Sequence, residues 1–224
     1  MEGKDFVEYA CNTLDPILDE PGAILYSSFE TLKPGSLYFL GFNPGGSGGV
    51  LLRKNIQELM SRSENAFLDE DWSNGIGQWK EGMAPLQKRV QWVLQTLGLD
   101  VADVCASNLI FSQSKKATDI PWRYADICWP VHERILKVVK PKIIVTFGNS
   151  KLSPFAYIYS KFSDSQQLSN IESGHGNWKI KQFSANINGC NVLVIGFPHL
   201  SRYSPVGKPG VEDYLNELRK IILS

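Results

Sequence analysis

Apolar runs of strand length alternate with stretches of helical periodicity, and this alternation constrains the fold more than any other feature of the chain. The strand-like runs are Leu37–Phe42, Val104–Phe111, Ile143–Phe147 and Val192–Phe197. Their near-continuous apolarity is typical of strands that are covered on both faces. The helical stretches are Pro85–Leu97, Tyr124–Val139 and Leu152–Tyr159. The pattern predicts a parallel sheet with helices on both faces, in which ligands bind beyond the carboxyl ends of the strands.

Additional segments extend this core. Asn188-Gly189 is a hairpin signal, so we expect the last core strand to have a short antiparallel neighbour. Val211–Leu223 has the pattern of a closing amphipathic helix. The polar segment Ser61–Met83, which carries Trp72 and Trp79, is predicted to be a long loop or lid.

Composition limits the class of protein. The 224 residues, 43% of them hydrophobic, predict a single domain over residues 1–224. The balance of 23 Lys and Arg against 23 Asp and Glu excludes a polycation that binds nucleic acid by charge alone, although it permits a local basic groove. No run approaches the ~18 apolar residues of a membrane span, so we expect a cytoplasmic protein that does not bind membranes. The four cysteines lack C-x-x-C spacing, which predicts free thiols and no Cys-bound metal.

A glycine-rich segment follows the first strand. Gly41–Gly49, which we call the glycine loop, has five glycines and one proline in nine residues. Such a backbone lets a ligand approach main-chain N–H groups without interference from Cβ atoms. The spacing matches neither the Walker A nor the dinucleotide-binding pattern, which disfavours a nucleoside triphosphate site.

Polar residues also occur within the second strand and after the fourth. Asn108 lies in the otherwise apolar run Val104–Phe111, and a buried Asn is either a member of a structural hydrogen-bond network or a reader of a base edge. Pro198–Pro205 places His199 and Arg202 after the fourth strand, where they fit either an anion site or a His that caps a turn.

Together these motifs resemble the uracil-DNA glycosylase superfamily. Gly41-Phe42-Asn43-Pro44-Gly45 is similar to the G-x-N-P-G motif of its mismatch-specific and single-strand-selective branches, and Pro198–Ser204 resembles its P-H-P-S-P-L-S segment. Asn108 matches the base-reading Asn, and Lys140-Pro141-Lys142 with the strand after it resembles a further segment of the family. The resemblance implies a three-layer α/β/α sandwich with a central four-stranded parallel sheet and no cofactor.

The resemblance also implies a reaction, which is hydrolysis of the N-glycosidic bond of a base flipped out of DNA. Asn43 would position the attacking water, and His199 would stabilise the departing base anion by donating a hydrogen bond to its carbonyl oxygen. Asn108 would read the Watson–Crick edge. No Lys occupies a position for Schiff-base chemistry, so the expected enzyme is monofunctional and leaves an abasic site.

Further residues are expected to contact the base or the DNA. Phe42 is our first choice for the aromatic group that stacks on the base, with Trp72 and Trp79 as alternatives. Gly45 stands where the uracil-restricted branch of the superfamily has a Tyr that blocks substituents at C5 of the base, so we expect room for bulkier 5-substituted pyrimidines. The expected biological role is either base-excision repair or defence against modified phage DNA. The expected DNA-binding residues are Gly46, Ser47, Ser201, Arg202, Tyr203 and Ser204.

Two other functions remain compatible with the sequence. One is a noncatalytic nucleic-acid-binding protein that has kept the fold, and the other is a hydrolase or transferase of free nucleosides. For the enzyme we expect a monomer whose partner is DNA. Its expected positive footprint consists of Lys115, Lys116, Lys151, Arg202 and Lys208, and its acidic region is Glu64–Asp71.

Overall fold

A computed structural model describes residues 3–73, 76–162 and 164–223 of the chain. The strands are β1 (Leu37–Gly41), β2 (Trp72–Ser73), β3 (Gln78–Trp79), β4 (Cys105–Asn108), β5 (Ile143–Phe147), β6 (Gln166–Gln167), β7 (Ile171–Glu172), β8 (Lys179–Ile187) and β9 (Cys190–Phe197). The α-helices are α1 (Gly3–Thr13), α2 (Leu52–Gln57), α3 (Pro85–Thr96), α4 (Tyr124–Val139), α5 (Pro154–Lys161) and α6 (Pro209–Leu223). The α/β class predicted from the alternating pattern is confirmed.

The main sheet of the described residues is mixed and has seven strands, so it is larger than the expected four-stranded sheet. Its order is β4-β1-β5-β9-β8-β6, and β7 also pairs with β8. The neighbours β4, β1, β5 and β9 pair in parallel, whereas β8 runs antiparallel to β9. The predicted hairpin is present between β8 and β9, where Asn188 and Gly189 have φ values of 54° and 81°.

Side chains alternate across the sheet and form a core on each face. Tyr38 and Leu40 of β1 belong to a cluster with α1, α2, α4 and α5, and Leu37 and Phe39 belong to a second cluster with α3 and α6. Strands buried on both sides therefore have the continuous apolar character seen in the sequence. No helix in the described ranges is both long enough and apolar enough to cross a membrane.

Local signals begin the helices that cover the sheet. In α3, Pro85 occupies the first turn, and the buried Gln87 side chain accepts a hydrogen bond from Ala84 N–H at 2.8 Å. In α5, the Ser153 hydroxyl accepts from Ala156 N–H at 3.2 Å, ahead of Pro154. These caps satisfy N–H groups that have no partner within the helix.

Of the two expectations for Ser61–Met83, the described residues fit a long loop rather than a lid, because the segment is anchored to the body of the protein. The amide of Gln87 donates to the carbonyls of Ala66 and Glu70, both at 2.8 Å. Phe67 is buried, and the ring of Trp72 packs against it at 6.0 Å. Strands β2 and β3 pair Trp72 with Trp79. Positions 74 and 75 of the expected lid lie outside the described residues.

Candidate functional site

The carboxyl edge of the four parallel strands collects the residues expected to act in catalysis. Gly41 at the end of β1 pairs with Asn108 at the end of β4, and Phe147 of β5 pairs with Phe197 of β9. Asn43 and His199 each lie two residues beyond a paired strand end. The sheet register therefore brings all three polar side chains to one edge.

Asn43 is held in one orientation by its amide nitrogen. Nδ2 donates to the carbonyl of Pro44 at 2.9 Å, to the carbonyl of Ser112 at 3.3 Å and to the hydroxyl of Ser114 at 2.9 Å. The side chain is only partly buried, and no hydrogen bond to its Oδ1 is formed within the described residues. Asn43 therefore offers a fixed acceptor, which can orient a water molecule but can remove a proton only poorly.

Asn108 is 4% exposed, and its Nδ2 has no hydrogen-bond partner among the described residues. Burying an amide donor without a partner costs about 1–3 kcal/mol, and most native proteins avoid it. A Cβ atom at Gly41 would overlap both Asn108 Oδ1 and the Phe147 ring, so glycine is required beside this amide. The Tyr26 hydroxyl lies close enough to the Asn108 amide to influence the Tyr26 pKa, but it makes no regular hydrogen bond to Nδ2. The site thus contains a rigidly packed donor that lacks a full hydrogen bond.

The imidazole of His199 is arranged as a neutral hydrogen-bond donor. Its Nδ1 lies 3.2 Å from Ser201 N–H, which donates to it, and 2.8 Å from the Ser201 hydroxyl. An Nδ1 that accepts a hydrogen bond leaves the proton on Nε2. Burial, with a smaller contribution from the positive charge of Arg202, holds the pKa of His199 below its ordinary value. His199 can therefore donate from Nε2 at neutral pH without carrying a charge.

Phe147 connects the His199 side of the site with the Asn108 side. Its ring meets His199 edge-on at 5.5 Å between centroids and adjoins Gly41. Tyr26 lies on the same face of the sheet, and burial raises its pKa far above the ordinary value. Neither aromatic residue was singled out from the sequence, because neither belongs to a recognisable motif.

The structure corrects the interpretation of Phe42. Successive residues of a strand point to opposite faces, so Phe42 lies on the side of α4, across the sheet from Gly41 and Asn108. Its ring stacks on Trp122 at 6.0 Å with an interplanar angle of 11°. Phe42 is therefore part of an aromatic core and does not face the unpartnered amide.

The glycine loop is exposed from Gly45 onward, and Gln113 fixes both ends of this exposed half. Gln113 donates from Nε2 to the carbonyl of Gly45 at 2.8 Å and accepts from Gly49 N–H at 2.9 Å. Gly46 has a φ of 90°, which favours glycine. A Cβ atom at Gly45 would meet nothing within 4 Å, so this side of the site is open, and Ser47 is exposed.

The loop after β9 contains both surface and core residues. Ser201 and Arg202 are exposed, and Ser204 is partly buried. Tyr203 is fully buried, and its hydroxyl donates to the carbonyl of Ser173 at 2.7 Å. The expectation that Tyr203 contacts DNA is therefore wrong, because its side chain is buried in the core.

The polar run after β4 contributes residues that the sequence analysis missed. Ser112 and Ser114 bind Asn43, and Gln113 binds the glycine loop, so three consecutive residues organise the neighbouring loop. Ser112 Oγ is buried without a partner among the described residues. The sequence pattern that could have identified these residues is the polar run Ser112-Gln113-Ser114 directly after a buried strand, at the sheet edge where ligands bind in α/β proteins.

The segments that follow β4, β5 and β9 carry exposed cations. Lys115, Lys116, Lys151 and Arg202 are exposed, and Lys208 is partly exposed. Among residues 3–73, 76–162 and 164–223, no three His, Cys, Asp or Glu side chains are grouped closely enough to hold a metal ion. Cys105 and Cys128 are buried, which raises the pKa of each thiol to about 12.

The chain matches no protein-family model, and no curated protein is significantly similar to it in sequence.

Proposed function

We propose that the protein is a monofunctional DNA glycosylase related to the uracil-DNA glycosylase superfamily, which hydrolyses the N-glycosidic bond of a flipped-out pyrimidine. The observation that carries the proposal is the unpartnered amide of Asn108, at the same strand edge as Asn43 and His199. When a ligand supplies an acceptor to a buried donor that lacks one, the new hydrogen bond makes binding of that ligand more favourable. The Watson–Crick edge of a pyrimidine presents such an acceptor.

In the proposed reaction the bond between the sugar C1′ and the base nitrogen breaks, and its electron pair leaves with the base. A water oxygen bonds to C1′, and the proton that this water loses passes through solvent to the base anion, which leaves as the neutral base. Asn43 orients that water through Oδ1, since its Nδ2 is already occupied by three acceptors. An amide is a poor base, so the catalytic gain must come mainly from stabilising the charge that develops on the base and the sugar.

His199 stabilises the departing base in this proposal. Its Nε2–H donates to the carbonyl oxygen of the base, where negative charge grows as the bond breaks. Ser201 maintains the productive tautomer by donating to Nδ1. Removing one donor of this kind commonly costs ~10²–10³ in rate.

The pocket is proposed to accept substituted pyrimidines. Gly45 has open space where a side chain would otherwise project, so a substituent at C5 of the base meets no steric block there. Phe147 forms the wall between the two polar sides of the pocket. A bulky 5-substituted pyrimidine would suit either a repair enzyme or a defence enzyme directed at modified phage DNA.

Release of abasic sites from a panel of oligonucleotides tests the proposal. The panel contains uracil, hypoxanthine, xanthine, mismatched thymine, 5-hydroxymethylcytosine and its glucosylated form, and alkali converts each abasic site into a strand break. We expect release of at least one pyrimidine, with ~10²–10³ slower release by His199→Gln. A gel shift without release from any member would identify a noncatalytic binder, and release only from free nucleosides would identify a nucleoside hydrolase. Efficient release of uracil alone would refute the wider pocket.

Asn65→Asp provides a control for folding damage in these assays. Asn65 is buried like Asn108, but it lies in the anchored segment, with its Nδ2 bound to Val101 O and its Oδ1 bound to Phe67 N–H. It contacts none of the proposed catalytic groups. A variant at this position that loses stability but keeps base release shows that the His199 effect is chemical.

A further inference from the structure

An exposed tryptophan lies on a tight loop at the functional edge of the sheet. The loop Ser173–Trp178 connects β7 to β8, and β8 runs antiparallel to β9 with Lys181 opposite Gly196. The start of β8 therefore lies beside the end of β9, from which the His199 loop emerges. Trp178 is 42% exposed, so part of its indole is accessible from solvent.

Internal hydrogen bonds hold this loop in shape. The Ser173 hydroxyl donates to the Trp178 carbonyl at 2.6 Å, and His175 N–H donates to the same hydroxyl at 3.2 Å. Trp178 N–H donates to the His175 carbonyl at 3.1 Å, and the two rings lie 4.8 Å apart. The exposed indole is thus presented by an ordered loop and loses little freedom when it binds a ligand.

The Trp178 loop is coupled directly to the loop of His199. The buried Tyr203 hydroxyl donates to the Ser173 carbonyl at 2.7 Å, and the Tyr203 ring lies 6.2 Å from that of His175. Tyr203 N–H in turn donates to the His199 carbonyl at 3.0 Å. One core residue therefore fixes the position of the exposed indole relative to the proposed catalytic imidazole.

Two cations belong to the segments that adjoin the Trp178 loop. A Cβ atom at Gly174 would lie 3.0 Å from the Lys208 side chain, so this lysine covers the loop. Arg202 is exposed one residue before Tyr203. The nearby carboxylate of Glu172 is paired with Lys179. An aromatic face beside lysine and arginine fits a nucleic-acid strand, because bases stack on aromatic rings while cations bind the phosphates.

We propose that Trp178 is a stacking site for an unpaired base of the DNA strand that flanks the extracted nucleotide, with Lys208 and Arg202 at the adjacent phosphates. This inference rests on the proposed glycosylase function and names the form of DNA that the enzyme holds. Stacking on an aromatic ring requires an accessible base face, which a paired base within a duplex does not offer. The enzyme therefore prefers a single strand, or a strand opened beside the lesion.

Binding to DNA that contains no excisable base tests the inference without relying on catalysis. The probe is a fluorescein-labelled single-stranded oligothymidylate, and the readout is anisotropy at fixed salt. Trp178→Ala should weaken binding by roughly 5- to 100-fold, which is the range for one lost base-stacking contact, whereas Trp178→Phe should remain within about 3-fold of the parent. Tyr159→Ala is the matched control, because Tyr159 is 41% exposed on α5 and should have no effect.

Unchanged affinity of Trp178→Ala would overturn the stacking site, and so would a loss confined to a fully paired duplex of the same length. A loss of the same size in Tyr159→Ala would also overturn it, because the effect would then not be specific to this loop. The glycosylase proposal fails by a different result, namely the absence of abasic sites on every substrate. If the protein binds DNA through Trp178 but releases no base, the proposed stacking site stands and only the glycosylase proposal fails.

Discussion

Replacing Asn108 with Leu separates the binding role of this side chain from its contribution to stability. Asn108 is 4% exposed and its Nδ2 has no partner among the described residues, so the folded protein bears the desolvation cost of that donor. Leucine keeps the branch at Cγ and removes the unpaired donor. If the amide is kept for a ligand, the substitution abolishes base release without the usual loss of stability.

The expected magnitude follows from two opposing effects. Removing an unsatisfied buried donor raises the free energy of unfolding by about 1–3 kcal/mol. Pressing the larger leucine against Gly41 and Phe147 costs about 1–3 kcal/mol, because neither neighbour leaves free space. The net change in the free energy of unfolding is therefore within about 2 kcal/mol of zero for Asn108→Leu.

Asn65→Leu is the matched comparison, because Asn65 is 3% exposed and both ends of its amide are bonded. Its replacement leaves the Phe67 N–H without a partner, at about 1–3 kcal/mol, and leaves the Val101 carbonyl with only the 3.5 Å bond from Val104 N–H, in addition to the steric cost. Urea unfolding should find Asn65→Leu less stable than Asn108→Leu by at least about 2 kcal/mol, or about 4–8 °C in Tm. Equal destabilisation of the two variants would show that the Asn108 amide has a structural partner, and the reasoning would fail.

Three further predictions concern the framework of the site. Burial lowers the pKa of His132 from 6.5 to about 4, so its contribution to the free energy of unfolding should be constant above pH 6.5 and fall by up to about 3 kcal/mol between pH 6.5 and pH 4. Urea unfolding of His132→Gln should show a smaller fall over that interval, and an unchanged fall would show that His132 is not the group responsible. Gly41→Ala should lower the free energy of unfolding by at least about 2 kcal/mol in a thermal melt, since its Cβ would overlap Asn108 and Phe147. A stability equal to that of the parent would show that these neighbours can move aside. Gln113→Ala should slow base release about 10-fold, because the substitution frees the exposed half of the glycine loop, and should lower the free energy of unfolding by less than about 1 kcal/mol. Unchanged kinetics would exclude a positioning role for Gln113.

Much of the fold could be predicted because its strands are covered on both faces. The apolar runs located β1, β5 and β9 to within a few residues, and Asn188-Gly189 located the hairpin. The run Val104–Phe111 was predicted too long, since the strand ends at Asn108 and the chain then bonds to β1 only through Leu109 and Ile110. Helices α1 and α2 were missed; α2 has only six residues and no side-chain cap that marks its start.

The site was only partly predictable, because sequence motifs do not show which way a side chain faces. Phe42 and Tyr203 both lie within motifs, yet the first faces the opposite side of the sheet from Asn108 and the second is buried in the core. Phe147 and Gln113 act through contacts with loops that are distant in the chain. Only the register of the sheet brings these contacts together, and no local pattern encodes it.

The most direct test of the account is a single-turnover assay of base release on single-stranded oligonucleotides that carry each candidate pyrimidine. Abasic sites are revealed by alkali, and the parent protein is compared with Asn43→Ala, His199→Gln and Asn108→Leu. We predict that the parent converts at least one substrate to abasic DNA, and that each variant is slower by ~10² or more while remaining folded. Full release by Asn43→Ala and His199→Gln, or no release by the parent from any substrate, would contradict the central claim.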